Sequence, residues 1–221
     1  MPKKETDPNA GRHNALFDYA EAMRQLIEDV VASCDIFRHI RVSSLLVGCI
    51  KARNNGGSGL YARTIPLRFE GGATTAVKRG RKVSVPVVRH GDSEALYIIS
   101  FCLPRFQDLA FEDKITTVFH ELYHVSPSFD GDIRRFKETR YIHTSSQKKY
   151  DDLMRRLSQE YLDHAPHPEH YEFLKLTYRE LCRRHGGVKM RIFRPPRPVV
   201  VKDSAVLPIT AQMQEKKDKA K

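Results

Sequence analysis

The sequence predicts an α+β protein, on three observations. A helical stripe opens the ordered part of the chain, several strand-like runs rich in Val, Ile and Leu follow between residues 37 and 102, and helical patterns then take over to residue 185. At 221 residues the chain is long enough for one domain with a sizeable core. Its hydrophobic content of 40% and charged content of 29% are those of a soluble globular protein, and no internal repeat is visible.

Residues 1–12, rich in Lys, Asp and Pro, read as a flexible lead-in. From there Leu16, Ala20, Met23, Ile27, Val30 and Cys34 recur at spacings of three and four, which marks an amphipathic N-terminal helix of about five turns. Phe37–Lys51 reads as a strand region, Asn54–Gly59 as a hairpin connection and Leu60–Phe69 as the return strand. The glycine cluster lacks the G-K-[ST] ending of a phosphate loop. Lys78–Lys82 is a concentrated positive loop that opens a further strand, Val83–Val88, whose Pro86 argues for a sheet edge. Gly91-Asp92 then supplies a tight turn before Ala95–Cys102. Together these runs predict a small, mostly antiparallel sheet.

The chemistry concentrates in residues 111–124, where Phe111, Ile115, Val118, Leu122 and Val125 form one apolar face of a helix. His120 and His124, four apart, project together from roughly the opposite side, so their imidazoles can share one metal ion. Glu121 sits one step round the helix, within reach of a water at that metal. Two histidines on a solvated surface are the plain alternative, but the apolar stripe avoids them, a strand precedes the helix and Pro127 stops it directly after the motif.

Catalytic zinc takes three protein ligands and keeps one position open. Asp130, six residues after His124, would suit a metzincin-like layout, yet Pro127 stands where that layout needs a glycine turn. Glu160 would suit a gluzincin-like layout, although its surroundings do not match the usual acidic signature. His143, nineteen residues past His124, is the favoured third ligand, since the intervening loop is long enough to return and imidazole is a natural partner of zinc. His164, His167 and His170 flank prolines in a helix connection and read as solvated. Arg140 or Tyr141 can supply a polar group for an oxyanion.

Two C-terminal helices are predicted, at about 146–164 on Tyr150, Leu153, Leu157 and Tyr161, and at about 169–185 on Tyr171, Leu174, Tyr178 and Leu181. Gly186-Gly187 ends the second, an extended basic arm follows from Val188, and the Lys-rich end to residue 221 reads as a disordered tail.

A strand, a short connection, a helix ending in His120-Glu121-Leu122-Tyr123-His124 and a histidine about twenty residues later resemble the SprT-like metallopeptidases and related phage and prokaryotic metallopeptidases. The resembling stretch is about 95–145. The resemblance implies a zincin-like domain, placed here at residues 13–187, in which His120, His124 and His143 hold Zn2+ and Glu121 is the general base of peptide hydrolysis. The chain departs from the better-known SprT-like proteins in lacking their cysteine-rich zinc ribbon, so the resemblance does not carry over their DNA-associated proteolysis, although the basic charge would suit it.

Cys34, Cys49, Cys102 and Cys182 are far apart and form no C-x-x-C pair, so they read as small buried hydrophobes. No stretch has the apolar core of a signal peptide or the length to cross a bilayer, and a cytoplasmic protein without a membrane partner is expected. The net charge of +11 predicts attraction to polyanions, DNA or RNA among them. The expected partner in catalysis is a protein or peptide substrate, and either Leu60–Phe69 or the edge-like Val83–Val88 can present a backbone edge to it. The competing reading is a basic nucleic-acid-binding or interaction protein whose motif holds a structural metal or none.

Overall fold

The computed structural model describes residues 15–52, 59–135, 147–164 and 167–201. A two-residue strand, β1 (Phe17–Asp18), leads into α1 (Tyr19–Ser33). Asp18 caps that helix by accepting the Glu21 N–H at 3.2 Å, which satisfies a donor that every helix start leaves open. Tyr19, Met23, Leu26, Ile27 and Val30 are fully buried. Leu16, the first member of the predicted stripe, precedes the helix and is 54% exposed.

Next come β2 (Leu45–Lys51), β3 (Ala62–Pro66), β4 (Thr75–Lys78), β5 (Arg81–Ser84), β6 (Val88–His90), β7 (Ser93–Ala95) and β8 (Tyr97–Leu103). They are followed by α2 (Phe111–Tyr123), α3 (Gln147–His164), α4 (Tyr178–His185), β9 (Val188–Lys189) and β10 (Val199–Val200). The class is α+β, as predicted. Among the described residues the strands form four small sheets, and most of their pairings are antiparallel.

The central sheet has the order β2-β8-β3, with β2 parallel and β3 antiparallel to β8. This corrects the expected hairpin of Phe37–Lys51 with Leu60–Phe69. All seven residues of β8 are buried, and a strand that is buried on both faces belongs in the middle of a sheet, so it separates β2 from β3. On one face Val47, Cys49, Tyr97, Ile99 and Phe101 join the main core with α1 and α2; on the other Leu46 and Ile98 meet Leu67, Ala95 and Phe193.

Residues beyond α4 pack back onto this sheet. β9 pairs with β1, Arg191 O accepts the Cys49 N–H at 2.7 Å, and β10 pairs with β5. A Cβ at Gly48 would stand 2.7 Å from both Arg191 O and the Phe193 ring, so the close crossing of the arm requires glycine there. The predicted strand Val83–Val88 is divided at Pro86 between β5 and β6. Because β5 lies between β4 and β10, it is a central strand and not an edge.

The second C-terminal helix begins later than its periodicity predicts. Residues 168–175 form two 3-10 turns, because carbonyls that would continue a helical ladder are taken by buried side chains of the core. Lys114 Nζ donates to Leu174 O and Leu176 O, and Gln107 Nε2 donates to Phe173 O and Leu176 O. Thr177 and Glu180 then form a capping box that starts α4 afresh. The four cysteines are free thiols. No helix among the described residues is long and apolar enough to cross a membrane.

Candidate metal centre

α2 is held in place from behind. Ile115, Val118, Leu122 and Val125 are buried as the spacing predicts, and Phe119, outside that stripe, is buried too. Its ring packs 5.4 Å from Phe37 and 5.8 Å from Tyr161, so the helix is wedged between the sheet side and α3. Its C-terminal end is closed by Arg134, whose backbone N–H donates to His124 O at 2.8 Å and whose Nε donates to Tyr123 O at 2.7 Å. A cation there also suits the negative end of the helix dipole, and it stacks 4.0 Å over the Tyr123 ring.

This anchoring fixes the motif side chains. His120 and His124 are half-buried, with their Nε2 atoms 3.0 Å apart and their rings nearly perpendicular. Two imidazole nitrogens bound to one tetrahedral zinc, each at about 2.0–2.1 Å, stand about 3.3 Å apart, so the pair fits a shared metal with a shift of only a few tenths of an ångström. Tyr150, from α3, backs both rings: it meets His120 edge-on at 5.0 Å and faces His124 at 6.5 Å with the planes inclined by 27°. Its hydroxyl donates to His120 O at 3.3 Å. Burial pushes the Tyr150 phenol well above its ordinary range, so it remains a neutral donor.

Glu121 is 5% exposed. The Thr64 hydroxyl, on β3, lies 2.8 Å from Glu121 Oε2 and 2.9 Å from Glu121 O, so it clamps the carboxylate to the sheet. Burial pushes the Glu121 carboxyl up to about 7 in the metal-free protein, against the opposing effect of the Thr64 hydrogen bonds. A cleft of about 290 Å³, lined by Gly59, Leu60, Tyr61, Ala62, Thr116, Thr117, His120 and Glu121, opens beside these groups. His120 and a carboxyl that holds a proton more firmly than usual therefore border one space, and His124 Nε2 stands 3.0 Å from His120 Nε2. Thr64 and Tyr150 carry no functional signal in the sequence, where they are a strand residue and a core residue, because nothing local shows that they converge on the motif.

His143, Arg140 and Tyr141 lie outside the described residues. Among the described residues no group of three His, Cys, Asp or Glu side chains is positioned to hold a metal. The alternatives Asp130 and Glu160 are engaged elsewhere: Asp130 accepts from Ser128 Oγ and Asp132 N, and Glu160 pairs with Arg156. His164 bonds through Nδ1 to Glu160 O, and the His167 and His170 rings lie against each other.

Neither curated proteins nor solved structures match this chain. A family model described as "Putative phage metallopeptidase" matches residues 17–151, a span that holds Thr64, His120, Glu121, His124 and Tyr150 and covers more than half of the 221-residue chain. Metallopeptidases work with a bound metal, which the paired imidazoles on α2 suit, and the chain belongs to this metallopeptidase family.

Proposed function

We propose that this protein is a zinc-dependent peptidase of the His-Glu-x-x-His type. His120 and His124 supply two ligands, His143 the third, and Glu121 is the general base and acid. The reading is carried by the 3.0 Å convergence of the two Nε2 atoms next to a buried carboxyl that Thr64 orients. A zinc ion held there supplies Lewis acidity, polarising the scissile carbonyl and making water a stronger acid.

The protein's own groups do the rest. Glu121 takes a proton from the attacking water as the new C–O bond forms. It returns that proton to the amide nitrogen as the C–N bond breaks, giving a free carboxylate and a free amine. With Thr64 on Oε2, the other carboxylate oxygen is left for water. The hydrogen bond from Tyr150 to His120 O, together with its ring packing, holds the imidazoles in register. β3 is the outer strand of the central sheet and borders the cleft, so an extended peptide fits along it. Of the alternative edge, Val83–Val88, the residues Val83 and Ser84 lie in β5, which is paired on both sides.

Metal analysis combined with Glu121→Gln tests this reading. The expected result is about one zinc per chain in both proteins and cleavage of an unfolded protein substrate lowered by about 10²–10⁴-fold in the variant. Zinc-free wild-type protein, or a variant that cleaves as fast as wild type, would overturn it; the second result is what a structural metal site would give.

A further inference from the structure

From the pairing of β10 with β5 we infer that the β4–β5–β10 sheet and the arm leading into it form a nucleic-acid-binding surface that grips the phosphate backbone. Two acid-free stretches, Gly71–Gly91 and Val188–Val201, are far apart in sequence, and neither alone is more than a short charge run. The fold joins them. Val199 and Val200 stand opposite Ser84 and Val83, and the Val201 N–H donates to Lys82 O at 3.0 Å.

The result is a continuous cationic strip. Lys78, Arg79, Arg81 and Lys82 surround the exposed β4–β5 turn, where Arg79 and Gly80 both take positive φ, and Arg194 and Arg197 are exposed along the arm. Among the described residues no carboxylate pairs with any of these six, whereas Lys189 and Arg191, nearer the body, are held by Asp18. Cations without carboxylate partners, on a chain of net charge +11, gain by displacing counterions from phosphates.

The shape of the strip favours nucleic acid over a lipid surface. Val77 (75% exposed) and Val199 (52%) share one face with Lys82, while Lys78 and Arg81 share the other with buried Val83 and with Val200 (55%), so exposed valines and cations stand on both faces of the ribbon. A narrow β-ribbon carrying small apolar side chains between cations fits a DNA groove. An interfacial membrane segment would instead expose Trp, Phe or Leu, and the exposed large apolar residues of this sheet are valines. The inference does not depend on the peptidase reading.

The test uses the full chain and a labelled DNA duplex of about 20 base pairs, with fluorescence anisotropy followed from about 50 to about 200 mM salt. Wild type is expected to bind and to weaken at least about tenfold over that range. Arg81→Ala/Lys82→Ala and, separately, Arg194→Ala/Arg197→Ala should each bind at least about fivefold more weakly at low salt. Each should also lower the slope of log K against log salt by about one to two, roughly one for every phosphate that is no longer neutralised. Arg155→Ala/Arg156→Ala removes the same charge from α3, where both side chains are exposed, and should stay within about twofold of wild type. Matching thermal midpoints would show that each variant is folded. The inference is overturned if wild type does not bind, if either surface pair binds like wild type, if the α3 pair loses as much as they do, or if the loss appears only with anionic phospholipid vesicles.

Discussion

Two cavities among the described residues lie beside the helical half of the molecule, and they differ in the groups they gather. The cleft of about 290 Å³ is lined by His120 and the buried Glu121, and His124 Nε2 stands 3.0 Å from His120 Nε2. The other, about 610 Å³, lies between the end of α1 and α3 and also contains reactive side chains: Cys34, Asp35, Glu160 and His164. Those groups do not converge. His164 is bonded to a backbone carbonyl, Glu160 to Arg156, and burial pushes the Cys34 thiol up to about 11, which keeps it protonated at neutral pH. Tyr161 lines the larger cavity, yet its hydroxyl is spent on Asp29 at 2.5 Å and its ring on Phe119. Under the proposed function, donors held at a common point by a rigid helix, and not volume, locate the site.

The most severe test of that contrast removes candidate ligands from each cavity in turn. His120→Ala and His124→Ala should each lose zinc and peptide cleavage together, whereas Cys34→Ala, Glu160→Gln and His164→Ala should keep both. Metal content and cleavage rate measured on all five decide it, and a loss of zinc in the second group would move the site to the larger cavity.

Next in size is the wall between them. Phe119 fills the space behind the motif and touches Tyr161 on the other side, so Phe119→Ala should lower stability by about 3–5 kcal/mol. Chemical denaturation measures this, and a loss below about 1 kcal/mol would mean that the helix is not anchored as described.

The motif helix is the most legible part of the molecule. Its limits, most of its buried stripe and the convergence of His120 with His124 follow from spacing alone, because a helix relates residues three and four apart whatever surrounds it, whereas the burial of Phe119 does not. Partners brought by other elements are not legible. The placement of β8 between β2 and β3 depends on which strand most needs two covered faces, and the late start of α4 depends on Lys114 and Gln107 seizing carbonyls some sixty residues away. Thr64 and Tyr150 belong to the same class. One is a polar residue in a strand and the other a member of an apolar stripe, and only the packed structure sets them against the motif.

A smaller effect separates the cavities by pH. In metal-free protein the Glu121 carboxyl is raised to about 7, so the folded state holds its proton more firmly than the unfolded chain does. The resulting stability is fully present below the ordinary glutamate pKa and is lost as pH rises through about 7. Denaturation of chelator-treated protein should show this decline, and Glu121→Gln should remove it; an unchanged decline in the variant would assign it to another group. Smallest is Thr64→Val, which frees the carboxylate from its clamp. It should cost about tenfold in kcat with the thermal midpoint nearly unchanged, and an unaltered kcat would show that Glu121 needs no orientation from β3.

Anomalous diffraction at the zinc edge, on crystals of the zinc-loaded protein, tests the central claim most directly. A single strong peak within about 2.1 Å of both His120 Nε2 and His124 Nε2 is predicted, and the third side chain bonded to it would identify the remaining ligand. A peak elsewhere in the molecule, or none between those two nitrogens, would contradict the account.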